Sequence, residues 1–209
     1  TVPSRTLRNA LSPQLMLIPA LRVAVNLALF RGNPADMPYS ASLTRSIAVL
    51  AVVTSLLLLA PVTPLPLAFA TGIGGVAGVA FFTRQLLRGK KLDNRFLQTV
   101  AAQLLVGSLF ALAMWPAFAA LAPAMQALML DGKGLERLQS GEPLPLNPPA
   151  WAALWSDVLF IWSLAATARI NRLAADLGRP SSWLLTLLSL FVLMGFVLMA
   201  QVVVALFLR

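Results

Sequence analysis

The chain has 209 residues, of which 59% are hydrophobic and only 11% charged, with a mean hydropathy of +0.82 and a formal net charge of +9. A soluble domain averages about 45–50% apolar and 25% charged residues, and a chain of this size exposes much of its surface, so lipid rather than water must surround most of it. The absence of cysteine excludes disulfides and thiolate metal sites, and the absence of histidine removes the commonest general base and a frequent metal ligand.

Residues 1–43 form a predicted cytoplasmic N-terminal segment. Its apolar stretch, 14–31, is interrupted by Arg22 and Asn26, and about 16 residues with a central arginine make a poor span. We therefore predict an amphipathic helix in the cytoplasmic interface, with the arginine reaching the headgroups. A signal peptide is the alternative, because arginines precede the apolar run, but no clean small-residue cleavage site follows. Proline and glycine in 31–40 predict a turn before the first span.

The apolar stretch 46–82 contains three prolines in six positions. As a single helix with a rise of about 1.5 Å per residue it would be about 55 Å long, whereas the hydrocarbon core of a bilayer is about 30 Å thick. Proline removes a backbone donor and clashes with the preceding turn of a helix. We therefore predict a tight turn at 61–66, which separates span 1, about 44–60, from span 2, about 66–87.

Three further spans complete a predicted transmembrane domain, 44–209. They cover about 96–118, 150–170 and 182–208. The third span kinks at Pro116 and continues toward an outer loop, 119–149, which is rich in proline and glycine and nearly neutral. Splitting that span at the proline would leave a segment too short to cross comfortably. The predicted fold is an all-α polytopic transmembrane helix bundle of five spans with an N-terminal interfacial helix.

The basic residues predict the orientation of the bundle. Lys and Arg accumulate on the cytoplasmic side of a membrane, and five spans with a cytoplasmic N-terminus place 13 basic residues inside against 3 outside. We therefore predict a multi-pass protein of the bacterial cytoplasmic (inner) membrane with its C-terminus outside. The loop before span 3 is expected to attract anionic headgroups, with recruitment of an acidic cytosolic partner as the alternative. Its basic residues are Arg84, Arg88, Lys90, Lys91 and Arg95.

A stripe of small residues in span 2 predicts close helix packing. The stretch 71–78 superficially matches a dinucleotide-binding fingerprint, but that motif follows a strand and opens a helix, whereas this one lies inside a span. Gly74 and Gly78 form a GxxxG pair, and Gly72 and Gly75 belong to a second stripe. Small residues let helices approach closely in lipid. The neighbouring helix belongs to this chain, which we favour, or to a partner.

Asp157 is the only carboxylate inside a predicted span. A charge at that depth costs on the order of 2–4 kcal/mol, so the side chain should be protonated, solvated or paired. Gln201 lies at a comparable depth in span 5, and Arg137 and Arg209 approach from the outer side. We favour a role for Asp157 in orienting helices or a partner subunit, and a proton or cation site is the alternative.

Three stretches resemble bacterial proteins of the Yip (Ypt-interacting protein) family. They are LSPQLMLIPALR (11–22), LRGKKLDNRFLQTVAAQLLVGSLFALAMWP (87–116) and LWSDVLFIWSLAATARINR (154–172). Members of that family have a cytoplasmic N-terminal segment, five spans and a C-terminus outside, and the family is associated with membrane trafficking or organisation. The resemblance implies this topology and supplies no catalytic residues.

The sequence thus predicts a non-catalytic membrane accessory or scaffold subunit that acts through helix packing and lipid contact. Its expected partner is another membrane protein or a second copy of itself. The alternative is a small transporter or lipid-handling protein that uses Asp157 and Gln201. An enzyme is the least favoured class, because the chain has no histidine, cysteine or paired carboxylates. No metal, cofactor or nucleic-acid partner is expected.

Overall fold

The computed structural model describes residues 13–130 and 149–207, and within these ranges it contains helices and no strand. The helices are α1 (Pro13–Ala28), α2 (Ala41–Leu59), α3 (Leu65–Gly89), α4 (Phe96–Leu130), α5 (Ala150–Ala174) and α6 (Arg179–Phe207). Single-turn 3₁₀ helices, Pro34–Asp36 and Asp93–Arg95, precede α2 and α4. Helices α2 to α6 are long and apolar enough to cross a membrane, which confirms the predicted all-α bundle with five spans.

The proline cluster ends one span and begins the next. Pro61 and Pro64 lie in the connection between α2 and α3, and Pro66 lies in the first turn of α3, where its missing N–H leaves no carbonyl unpaired. The side chain of Gln126 on α4 donates a hydrogen bond to the Pro61 carbonyl at 2.5 Å. The apolar stretch 46–82 therefore forms two spans, as predicted.

The five spans alternate between two ends of the bundle. Helices α3 and α5 end, and helices α4 and α6 begin, at the same end of the bundle. We call it the basic end. There the guanidinium of Arg95 donates to the Ala174 carbonyl and to the Asp176 carboxylate, both at 3.1 Å, and so joins α4 to the connection after α5. With a helical rise of about 1.5 Å per residue, the basic residues of α2 to α6 lie within about 8 Å of this end. They are Arg45, Arg84, Arg88, Arg169, Arg172 and Arg179.

Helix α1 packs against α2 and α4 through fully buried side chains spaced three or four residues apart. These side chains are Ala20, Ala24 and Leu27. The carbonyl of Ala28, at the C-terminal end of α1, accepts a hydrogen bond from the Trp162 indole at 2.8 Å. Trp162 lies twelve residues before the end of α5, which corresponds to about 18 Å from the basic end. The C-terminal end of the predicted interfacial helix therefore reaches into the bundle.

The segment between α1 and α2 returns to the basic end as a compact turn. Asn33 and Asp36 form a capping box, in which the Asn33 side chain accepts from the backbone of Ala35 and the Asp36 side chain accepts from the backbone of Asn33, both at 3.0 Å. The Gln98 amide on α4 donates to the carbonyls of Ala35 and Met37 at 2.8 and 2.7 Å. One amide side chain thus fixes this turn to the start of α4.

Helix α4 has 35 residues and contains both Pro116 and Pro123, so at about 1.5 Å per residue it is about 52 Å long. The helix continues past Pro116, as expected for span 3. The predicted outer loop, 119–149, differs from the structure at its beginning, because the residues up to Leu130 are helical. Residues 131–148 lie outside the described residues.

A side chain of α5 bonds to α4 close to Pro116. The ring of a proline removes a backbone N–H, so the carbonyl four residues earlier, that of Leu112, loses its helical donor. The indole N–H of Trp155 on α5 donates to the adjacent carbonyl, that of Ala113, at 2.9 Å. A tryptophan of the neighbouring span therefore joins α5 to the turn of α4 that precedes the proline.

Candidate functional site

Hydrogen bonds between side chains connect α3, α4, α5 and α6 near the basic end. The Thr83 hydroxyl donates to Oε1 of Gln103 at 2.6 Å. Nε2 of Gln103 donates to Oδ1 of Asn171 at 2.7 Å, and Nδ2 of Asn171 donates to Oγ1 of Thr186 at 3.0 Å. The Thr186 hydroxyl donates in turn to the Ser182 carbonyl at 2.8 Å. We call Thr83, Gln103, Asn171 and Thr186 the polar chain.

Three members of the polar chain are buried, so unpaired polar atoms there would be costly. Thr83 and Asn171 are 0% exposed and Thr186 is 1% exposed, whereas Gln103 is half-buried. An unpaired amide in hydrocarbon costs several kcal/mol, and a hydrogen bond between spans is worth about 0.6–2 kcal/mol. Because each bond joins two different helices, the polar chain fixes how four spans are positioned along one another.

Sequence reasoning missed the polar chain. Its members are separated by 20, 68 and 15 residues along the sequence, and each lies on a different apolar helix. One signal was present in the sequence: all four lie within about 11 Å of the basic end when depth is counted at about 1.5 Å per residue. Polar residues at one common depth in several spans therefore point to a shared layer.

A cavity of about 300 Å³ lies beside the polar chain and is lined by residues of α2 to α6. We call it the central cavity. Its polar wall consists of Gln103, Ser163, Thr167, Thr186 and Ser189. Its apolar wall includes Val106, Phe110, Met114, Phe160, Leu190 and Leu193. No charged side chain lines this cavity among the described residues.

A smaller cavity of about 200 Å³ lies between α2, α3, α4 and α6. It shares five residues with the wall of the central cavity: Val79, Gln103, Gly107, Ala111 and Leu193. Gly75 also lines it, and a Cβ built on Gly75 would meet nothing within 4 Å. The two cavities therefore adjoin each other along α4.

The structure places the GxxxG pair of α3 against α6 of the same chain. A Cβ on Gly74 would lie 2.8 Å from the carbonyl oxygen of Phe196, and a Cβ on Gly78 would lie 3.1 Å from Cα of Leu193. Real Cβ atoms rarely approach a neighbour so closely, so these backbones need glycine to pack as they do.

The two glycines of the second small-residue stripe face different neighbours. Gly72 faces α2, where an added Cβ would lie 3.1 Å from the carbonyl oxygen of Val52. Gly75 faces the smaller cavity and makes no close approach to a neighbouring helix. Three of the four predicted packing glycines thus contact helices of this chain.

Asp157 and Gln201 are not brought together. The Gln201 amide donates to Oγ1 of Thr71 at 2.9 Å and so joins α6 to α3. Asp157 lies on the exposed face of α5, seventeen residues from the end of that helix, which corresponds to about 26 Å from the basic end. Arg137 and Arg209, the basic residues expected near Asp157, lie outside the described residues.

The residues predicted to bind lipid headgroups differ in their exposure. The exposed members are Arg84, Arg88, Lys90 and Lys91. Arg95 is half-buried, and its guanidinium is already bonded to Ala174 and Asp176. Four side chains are therefore available to a lipid surface, whereas Arg95 stabilises the join between α4 and α5.

Comparisons with protein-family models, curated protein sequences and solved structures find no match for this chain. The class that the fold defines is a multi-pass integral membrane protein with five spans. Within the described ranges, no group of three metal-ligating side chains comes together. The resemblance to the Yip family stays a prediction.

Proposed function

We propose that the protein is a non-catalytic accessory or scaffold subunit of a membrane complex, and that a helix of a partner protein docks on the outward face of α5. The main support is Asp157, an acidic side chain on the exposed face of a spanning helix. Such residues are rare in lipid and normally face a partner or a water-filled space.

The depth of Asp157 makes lipid a poor neighbour. Helix α5 has 25 residues and is about 37 Å long at 1.5 Å per residue, so a hydrocarbon core of about 30 Å leaves a few ångströms at each end. Asp157 lies about 10 Å from the start of α5 and hence several ångströms inside that core. A cationic or hydrogen-bond-donating side chain of a partner would remove the cost of this placement.

Apolar side chains around Asp157 form a ridge that fits another helix. Leu154, Val158 and Ile161 are 66, 47 and 63% exposed and recur every three or four residues. This spacing places them on one face of α5. The face therefore combines an apolar ridge with one acidic side chain, which is the chemistry expected to recognise a partner helix bearing Arg or Lys.

Charge complementarity favours a different protein over a second copy of this chain. A two-fold contact between copies would place Asp157 close to its own equivalent, and like charges repel. Among the described residues, the basic side chains of α2 to α6 lie at the basic end, about 18 Å from the height of Asp157 along the helix axis. The GxxxG pair is occupied by α6 and is not offered to a partner.

The alternative, a transporter built on Asp157 and Gln201, has less support. The Gln201 amide is already bonded to Thr71 at 2.9 Å, and Asp157 faces outward from the bundle. A shared polar site for the two residues is therefore not part of the proposal.

The proposal is tested by photo-crosslinking in the native host. A photoreactive residue at Ile161 reports on the α5 face, and one at Met199, 67% exposed on α6, is the matched control. We expect a discrete protein adduct from position 161 that is lost in Asp157→Leu and retained in Asp157→Glu. An adduct that survives Asp157→Leu, appears equally from position 199, or is absent from position 161 would contradict the proposal.

The melting temperature of the isolated protein distinguishes a docking role of Asp157 from a structural role. Because Asp157 faces outward, Asp157→Leu should leave the melting temperature in detergent unchanged or raise it. A lower melting temperature would mean that Asp157 stabilises the bundle itself.

A further inference from the structure

We propose that the central cavity binds an uncharged, single-chain amphiphile: an alkyl or prenyl chain that ends in a hydroxyl group. This site is separate from the outward face of α5, and its test does not depend on the proposed function. Three features of the cavity wall support it: a glycine that keeps the volume open, hydrogen-bonding side chains on three of the lining helices, and the absence of charge among the lining residues.

Gly107 keeps the cavity open without being needed for packing. It is exposed although Val106 and Ser108 on either side are 2 and 3% exposed, because it faces the two cavities. A Cβ at Gly107 would meet nothing within 4 Å. Glycine inside a helix is destabilising relative to alanine, so neither helix stability nor close packing explains a glycine at position 107. Preservation of the cavity volume explains it.

The hydroxyl groups of the polar wall present acceptors to the cavity. Ser163, Thr167 and Ser189 each donate their proton to a carbonyl of their own helix, at 2.8, 2.9 and 2.6 Å. Their oxygen atoms therefore keep lone pairs for a donor. A ligand that donates one hydrogen bond fits this side of the wall.

Gln103 supplies the complementary donor. Its Nε2 carries two N–H groups and gives one to Asn171 at 2.7 Å, and the residue lines the cavity. A hydroxyl group both donates and accepts, so it can satisfy the serine and threonine oxygens together with the second N–H of Gln103. A carboxylate or an ammonium would find no opposite charge among the lining residues.

In a bilayer, the hydroxyl group determines which ligand the cavity prefers. An alkyl chain in the membrane is already surrounded by hydrocarbon, so its transfer into an apolar cavity brings little hydrophobic gain. A hydroxyl group gives up its partners at the membrane interface when it enters the cavity, and the polar wall replaces them. An alkane leaves the second N–H of Gln103 unpaired, so the polar wall gives selectivity for the end group. We therefore expect an alcohol to be preferred over an alkane of the same length by about three- to tenfold, which corresponds to one net hydrogen bond.

The test uses an alkyl-diazirine analogue of dodecanol in phosphatidylcholine vesicles that contain the full chain, with adducts mapped by mass spectrometry. We expect adducts on the facing stretches 103–114 of α4 and 186–193 of α6. Gly107→Leu should abolish them, because the new side chain fills the cavity without touching a neighbour at its Cβ. Gly195→Leu is the matched control, since Gly195 is also open at its Cβ but lies on the exposed face of α6.

Competition with unlabelled dodecanol, dodecane and dodecanoate tests the end group. Dodecanol should compete best, and Thr167→Val, which removes a hydroxyl at nearly constant size, should weaken its competition. Adducts that persist in Gly107→Leu, or that fall equally in Gly195→Leu, would overturn the cavity site. Equal competition by dodecane, or stronger competition by dodecanoate, would overturn recognition of the hydroxyl.

Discussion

Gly74 and Gly75 are adjacent in α3 but face different surroundings. Gly74 lies against the backbone of α6, whereas nothing lies within 4 Å of a Cβ built on Gly75. The sequence shows both as members of small-residue stripes and does not distinguish them, because the difference depends on where a second helix crosses. The structure makes the two glycines a matched pair for measuring how closely α3 and α6 must approach.

We predict that Gly74→Ala destabilises the isolated protein by about 1–3 kcal/mol, because the added methyl group would lie 2.8 Å from the Phe196 carbonyl and force the helices apart. Gly75→Ala should leave the stability unchanged or raise it by about 0.5–1 kcal/mol. Thermal unfolding in detergent measures both variants. Equal effects would show that α3 and α6 do not approach as described.

Gln103 is the central member of the polar chain. We predict that Gln103→Leu destabilises the fold by about 1–3 kcal/mol, because it leaves the buried Thr83 and Asn171 without their partner. Gln85→Leu, at an exposed position of α3, is the control and should have little effect. In a double-mutant cycle, Gln103→Leu and Asn171→Leu should be less than additive. Strict additivity would contradict a direct hydrogen bond between the two side chains.

Among the elements, α4 and α5 are joined one turn before Pro116. We predict that Trp155→Phe destabilises the protein by about 1 kcal/mol through loss of the bond to the Ala113 carbonyl. The effect should persist in a Pro116→Ala background, because the N–H restored at position 116 pairs with the Leu112 carbonyl and not with that of Ala113. Trp183→Phe, at an exposed position of α6, is the control, and thermal unfolding in detergent measures the variants. An equal loss in Trp155→Phe and Trp183→Phe would contradict a specific bond from Trp155 to α4.

The elements also show what the sequence can predict. The spans and the reversal between α2 and α3 follow from local properties: the length of each apolar run and the effect of Pro61, Pro64 and Pro66 on a helix. The helical continuation of α4 past Pro116 was expected for the same reason. Hydrogen bonds between elements were missed or assigned to the wrong partner. Gln201 was considered beside Asp157 but bonds Thr71, because side-chain partners depend on which faces of distant helices meet.

At the scale of the whole molecule, the basic side chains of the spans and most hydrogen bonds between their side chains lie toward one end of the bundle. The basic side chains and the polar chain occupy the basic end, and the central cavity extends from the polar chain along the apolar stretch of α4. Asp157 lies far from this end on the outward face of α5. The proposed partner contact and the proposed ligand site are therefore on different surfaces and can be removed separately by substitution.

The topology of the whole bundle requires that α2 and α3 each cross the membrane once. Because the chain has no cysteine, single cysteines introduced at Arg45, Leu65 and Lys90, which are exposed, can be labelled with a membrane-impermeant maleimide from either side of sealed vesicles. The two-crossing bundle predicts that positions 45 and 90 react from one face and position 65 from the other. Labelling of positions 45 and 90 from opposite faces would contradict it.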